Sequence, residues 1–259
     1  MVNYYIENRP YRYYNTVPGK GKPAIKGGKY IMHLTGSIFW YPWEGGGNNC
    51  NSIFIEGEKN ILVDPGHVKN EFGEPCLDSL KSKLKEDGFT FNDIDLVLLT
   101  HGHPDHCEAA GVVCEEAGAR LAIHNKEEEV IEAVARMFGR NSAGGEDKPF
   151  VEPDILLQEG KLEAGQDREI EVVHTPGHSP GSASYFLSDE GVLISGDAVF
   201  RGSIGRTDLP GGNMKEMAQT VDKLSRMEGI KWLLPGHMGP VEGEENVSRN
   251  FSMIKSVFF

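Results

Sequence analysis

The chain has 259 residues, 39% of them hydrophobic and 25% charged, with a formal net charge of -13. This length and balance suit a soluble globular protein with a sizeable core, and the negative charge argues against nucleic acid, which needs a basic face. No apolar run approaches the roughly 20 residues of a membrane-spanning helix, and the first ten residues lack the features of a signal peptide, so a cytoplasmic protein without a membrane partner is expected.

Residues 1–29, rich in Tyr, Pro, Gly and Lys, read as an irregular arm, with ordered strands beginning near Tyr30. Phe39, Trp40, Tyr41 and Trp43, next to Gly45-Gly46-Gly47, are compatible with a flap over a site or with a packed hairpin edge. Ser52–Glu56 and Asn60–Asp64, separated by Gly57-Glu58-Lys59, predict a hairpin. Apolar residues at 77, 80 and 84 predict an amphipathic helix over Cys76–Gly88, and the apolar run Ile94–Thr100 predicts a strand buried on both faces. A helix over Glu108–Gly118 closed by Gly118, then a strand over Ala119–Ile123, are expected next. A helix over Lys126–Phe138 and a loop over 139–153 form a helix-loop insert near 125–153. Strand-like segments follow at 155–157, 169–174, 182–187 and 191–195. Asn213 caps a helix reaching Glu228, Ile230–Leu234 is read as the last strand, and a helix runs from Glu244. Two blocks of strands, each interleaved with helices and joined without a linker, indicate one domain from residue 30 onward, of class α/β or α+β, with two sheets.

The chemistry collects at strand ends. Ile94–Thr100 runs into His101, His103, Asp105 and His106; 169–174 into Thr175-Pro176-Gly177-His178; 191–195 into Gly196-Asp197; 230–234 into Pro235-Gly236-His237. A further apolar segment, Ile61-Leu62-Val63, runs into Asp64-Pro65-Gly66. A lone histidine at such a place is an ordinary structural residue. Five of the nine histidines together with two aspartates indicate a metal site. Residues two apart in an extended segment face the same way, so His101 and His103 can share one ion, while Asp105 and His106, beyond the turn at Pro104, are better placed for a second. Imidazole and carboxylate donors suit Zn²⁺, Fe or Mn²⁺ and not Ca²⁺. The four cysteines, Cys50, Cys76, Cys107 and Cys114, form no Cys-x-x-Cys pair, and Cys107 reads as a buried reduced thiol. His33, His67, His124 and His174 are read as structural.

His101-x-His103-x-Asp105-His106, followed by His178, Asp197 and His237, resembles the metallo-β-lactamase superfamily, and the likeness runs from about residue 30 to 240. The resemblance implies an α+β fold, a four-layer αβ/βα sandwich of two mixed β-sheets flanked by helices, with a dinuclear site at one edge. It implies that His101, His103 and His178 hold one divalent ion, that Asp105, His106 and His237 hold the other, and that Asp197 bridges them. Asp64 corresponds to an aspartate that supports the site without binding metal. Gly205-Arg206-Thr207-Asp208-Leu209-Pro210-Gly211-Gly212 is similar to the glyoxalase II and persulfide dioxygenase branch, with Arg206 and Asp208 expected as a structural pair. Long-form glyoxalase II enzymes carry a helical C-terminal domain that helps bind glutathione; here 22 residues follow His237.

The expected activity is hydrolysis of a thioester or ester/lactone bond by metal-bound hydroxide, with Asp105 orienting the nucleophile. The expected cofactors are two divalent metal ions, Zn²⁺ first and Fe or Mn²⁺ next, and the expected partner is a small-molecule substrate. A homodimer is left open. The alternatives are a mononuclear iron enzyme resembling persulfide dioxygenase, a lactonase, and a metal-binding protein without turnover.

Overall fold

The computed structural model describes residues 33–127, 130, 152–162 and 169–259, together with the backbone of 25–26 and 29–30. The chain divides into two compact units, Met1–Ile31 and Met32–Phe259. In the first, β1 (Ile25–Lys26) pairs antiparallel with β2 (Lys29–Tyr30). The rest of the expected arm at 1–29, the helix expected over Lys126–Phe138 beyond Glu127 apart from Val130, and the loop expected over 139–153 up to residue 151 lie outside the described residues.

In the second unit, one sheet holds β3 (His33–Thr35), β4 (Ile38–Tyr41), β5 (Ser52–Ile55), β6 (Ile61–Val63), β7 (Leu96–Leu98), β8 (Arg120–His124) and β9 (Ile155–Leu157) in that spatial order. Pairing is antiparallel from β3 to β6 and parallel from β6 to β9. The other sheet holds β10 (Gly160–Lys161), β11 (Ile170–His174), β12 (Ala183–Leu187), β13 (Val192–Gly196), β14 (Trp232–Pro235) and β15 (Val241–Glu242). It is antiparallel except where β13 and β14 run parallel. Both sheets are therefore mixed. Ile230–Leu234 is not the last strand: the chain turns after His237 and adds Val241–Glu242 to the edge beside it.

Alternation along the strands builds three apolar layers. Ile61, Val63, Leu96 and Leu98 of the first sheet meet Val192, Ile194, Tyr185 and Val172 of the second in the central layer. Leu62, Val97 and Phe54 face outward, onto α1 (Cys76–Glu86) and, past the one-turn α2 (Pro104–Cys107), onto α3 (Ala110–Ala117). Leu193, Phe186 and Leu233 face outward onto α4 (Met214–Leu224) and α5 (Glu244–Phe258). Strands covered on both sides have no polar face, which is why they read as continuous apolar runs. The result is the four-layer arrangement of two mixed sheets flanked by helices.

Helix ends follow local chemistry. Asn213 caps α4, its side-chain oxygen accepting from Lys215 N at 3.0 Å and Glu216 N at 3.3 Å. Gly118 closes α3 with φ 68°, where a Cβ would be strained. The helix expected over Glu108–Gly118 is present as α3 from Ala110, and the separate one-turn α2, opened by Pro104, precedes it. Phe39, Trp40 and Tyr41 form β4 and are buried, so they pack and do not make a flap. Trp43 sits on the following loop, its indole N–H donating to Gly47 O at 2.8 Å. Among the described residues, no helix is long and apolar enough to cross a membrane.

Candidate metal centre

Strand ends from both sheets converge. Asp64 follows β6, and His101, His103, Asp105 and His106 follow β7. From the other sheet come His178 after β11, Asp197 after β13 and His237 after β14. All but His237 are buried.

Donor atoms fall into three overlapping sets whose members lie within 4.8 Å of one another: His101, His103 and His178; His101, His106 and Asp197; Asp105, His106 and His237. His103 Nδ1 lies 3.0 Å from His101 Nε2 and 2.8 Å from His178 Nε2. On the other side, His237 Nε2 is 3.2 Å from Asp105 Oδ2 and 3.4 Å from His106 Nε2. Asp197 stands between the groups: Oδ1 is 3.3 Å from His106 Nε2, and Oδ2 is 3.5 Å from both His178 Nε2 and His237 Nε2.

The outer ring nitrogens identify the tautomers. His106 Nδ1 donates to Asp64 Oδ2 at 2.8 Å, and His178 Nδ1 donates to the Arg206 carbonyl at 2.7 Å. His101 Nδ1 lies 3.1 Å from Thr100 Oγ1, whose own proton goes to Asp64 Oδ2 at 2.6 Å. With Nδ1 protonated in all three rings, each Nε2 directs a lone pair inward, the form a metal-binding imidazole needs. Lone pairs crowded together in a buried space repel unless a cation lies among them.

Two further observations fit a metal ion to this place. Asp197 Oδ1 is buried without a hydrogen-bond partner, a costly arrangement for a carboxylate oxygen. Gly236 lines the same space: a Cβ there would come within 2.4 Å of Asp197 Oδ1 and 2.6 Å of His106 Cε1. The mixture of imidazole and carboxylate is that of Zn²⁺, Fe and Mn²⁺ sites.

Burial and mutual repulsion act on the three-histidine side. Burial, with His106 and His103 beside it, holds His101 well below the ordinary imidazole range, and burial with His178 lowers His103 to about 4. On the other side, burial works against the charged forms and the ion pairs override it. Without a cation, Asp197, Asp64 and Asp105 hold His106 well above its usual value, so its Nε2 takes up a proton that a metal ion would replace. Asp105 is held far below its usual value by His106 and His237, and Asp197 at about 2 by His237 and His106.

The surroundings correct or complete the reading of the sequence. Arg206 and Asp208 do form a bidentate pair, at 2.9 and 3.0 Å, but both side chains are exposed, and it is the Arg206 carbonyl that reaches the site. His67 pairs with Glu108 and joins none of the donor sets. Cys107 is a buried thiol donating to Gly102 O at 3.2 Å, and burial followed by Asp105 pushes its pKa well up.

Three residues escaped sequence reasoning. Asn48 Nδ2 donates to Asp105 Oδ2 at 2.9 Å. Asn51 Nδ2 donates to the carbonyls of Pro235 at 3.1 Å and Met238 at 2.9 Å, bracing the His237 loop, where Met238 adopts φ 66°. Glu127 is buried among loop amides. The only signal for the asparagines is their place after Gly45-Gly46-Gly47, and nothing in a Lys-Glu-Glu-Glu string marks Glu127.

A buried multi-histidine centre at the edge of a four-layer sandwich defines a metalloprotein. A family model described as Metallo-beta-lactamase superfamily matches residues 45–237, and the chain belongs to that superfamily. It is 34% identical over 207 residues to the probable metallo-hydrolase YqgX of Bacillus subtilis, covering 78% of this chain and 90% of that one. It is 28% identical over 214 residues to the hydroxyacylglutathione hydrolase GloC of Haemophilus influenzae, covering 80% of this chain and 94% of that one. Among solved structures, TTHA1623 in a di-iron-bound form is 28% identical, with a TM-score of 0.63 over 78% of this chain and 94% of that one. The chain is thus a member of a metallo-hydrolase superfamily, with a His/Asp cluster able to bind metal ions.

Proposed function

We propose that this protein hydrolyses a small thioester in the manner of glyoxalase II, with esters and lactones as the wider substrate class, using two divalent ions. The observation that carries the reading is the convergence of seven donors in three overlapping sets, with Asp197 standing between the two outer ones. In this reading His101, His103 and His178 would hold one ion and Asp105, His106 and His237 the other, with Asp197 available to both. When bound, such ions supply Lewis acidity, bringing the pKa of water toward neutrality and stabilising negative charge that develops on a carbonyl oxygen.

The side chains supply orientation. Asp105 is the catalytic carboxylate of the proposal: Asn48 and His237 fix its Oδ2, and it orients the attacking water. A leaving thiolate needs no proton from a general acid, and none is assigned. The relative GloC, named for hydroxyacylglutathione, supports a thioester. The donor set favours zinc, and the di-iron form of TTHA1623 makes iron the next choice.

The test is metal analysis of the purified protein alongside turnover of hydroxyacylglutathione thioesters, lactones and glutathione persulfide. Two ions per chain and thioester turnover are expected. His103→Ala and Asp197→Ala should each lower metal affinity and turnover together, roughly tenfold to hundredfold or more. Full turnover in a metal-free variant would sink the proposal. A single iron with sulfite formed from the persulfide would move the assignment to the dioxygenase alternative.

A further inference from the structure

Among the described residues the buried carboxylates are Asp64, Asp105, Asp197 and Glu127, and the proposed chemistry accounts for the first three. Glu127 is completely buried at the end of the short turn Asn125–Glu127 that follows β8. Its Oε1 accepts the Gly102 N–H at 2.9 Å. Its Oε2 accepts the Ser179 hydroxyl at 2.8 Å and the Gly181 N–H at 2.7 Å. Gly102 lies between His101 and His103, and Ser179 directly follows His178. One carboxylate therefore joins two loops, each from a different sheet, that together carry all three histidines of the first donor set.

The contact is close. A Cβ on Gly181 would lie 2.3 Å from the Glu127 backbone nitrogen, so the residue at 181 has to be glycine for the two segments to meet. All three partners of the carboxylate are neutral groups. An ionised side chain taken out of water is costly without opposite charge nearby. A cation held among His101, His103 and His178 would supply such charge.

We infer that Glu127 is a positioning residue for the three-histidine metal position: it locks the two loops so that the imidazoles converge and adds negative charge beside the ion. The inference rests on the reading that these histidines hold a metal. Hydrogen bonds between a carboxylate and amides in a dry setting are short and directional, so they fix loop register as well as charge.

The experiment is titration of the metal-stripped protein with Co²⁺, following the visible absorption spectrum and competing with a chromogenic chelator. Glu127→Gln keeps the side chain's size but removes its charge and turns an amide NH₂ toward groups that are themselves donors. It should weaken Co²⁺ binding at the three-histidine position roughly tenfold to hundredfold and alter the Co²⁺ spectrum, while circular dichroism at low temperature stays that of the folded protein. A purely structural role would lower the melting temperature and leave the spectrum unchanged. Should Glu127→Gln fail to fold, Ser179→Ala removes a single donor and is expected to show a smaller shift in the same direction. Wild-type affinity and spectrum in whichever variants fold would overturn the role of Glu127. Failure of the wild type to bind any Co²⁺ would overturn the metal reading itself.

Discussion

Asp64 adopts φ 50° at the end of β6 and turns both carboxylate oxygens toward its neighbours. Oδ1 accepts Thr100 N at 2.8 Å; Oδ2 accepts Thr100 Oγ1 at 2.6 Å and His106 Nδ1 at 2.8 Å. It thereby sets the tautomer of His106 directly and that of His101 through Thr100. An Asp64→Asn substitution keeps the shape but places an amide NH₂ against groups that donate. The expected result is a loss of roughly tenfold to hundredfold in metal affinity at the position formed by Asp105, His106 and His237. Unpaired buried donors should also cost about 1–3 kcal/mol of stability. Chelator competition measures the first effect and urea unfolding the second; an unchanged affinity would reduce Asp64 to scaffold alone. At this scale the sequence revealed the donors, because His and Asp recur where apolar runs end. It did not reveal Asn48, Asn51 or Glu127. Their residue types in polar strings face water by default, and only the meeting of distant loops buries Asn51 and Glu127 and brings Asn48 to Asp105.

Long apolar runs made most strands and helices legible, since each is buried on both faces or along one stripe. The strands Gly160–Lys161 and Val241–Glu242 were not, because two-residue edge strands carry no periodicity and exist only through their partners. One link between elements depends on pH. His124 at the end of β8 and His174 at the end of β11 stack across the two sheets, with centroids 4.3 Å apart and planes within 2°. Burial, with His174 and Lys126 nearby and Glu159 opposing, lowers His124 to about 4. Burial also lowers His174, against the Pro180 carbonyl and with Lys126 and Lys223 adding to it. An unfolded histidine titrates near 6.5. Between those values the unfolded chain binds more protons, so stability rises with pH and is lost as pH falls from about 6.5 toward 4. For His124 the loss between pH 7 and 4.5 is about 2 kcal/mol. His124→Phe keeps a flat ring and cannot titrate, so its urea midpoint should fall less over that range. Equal slopes for variant and wild type would show that the stack does not act in this way.

The three apolar clusters fill the space between the sheets and on their outer faces without involving the donor residues. The fold should therefore stand without metal, and the ions should add to a structure already formed. Ligands that bind only the folded state stabilise it by mass action, about 2.7 kcal/mol for an ion at a hundred times its dissociation constant. In a chain of this size 1 kcal/mol moves the melting temperature by about 2–4 °C, so each ion should raise it by about 5–10 °C. The metal also offsets repulsion: Asp64, Asp105, Asp197 and Glu127 gather buried around one centre in a chain of net charge -13. Calorimetry with a strong chelator, then with metal restored, measures the difference. The expected outcome is a lower but still cooperative transition in the stripped protein, reversed by adding Zn²⁺, with far-UV circular dichroism unchanged at 25 °C. Collapse of the dichroism on chelation would mean instead that the loops bearing His101, His178, Asp197 and His237 hold the two sheets together only through the ions.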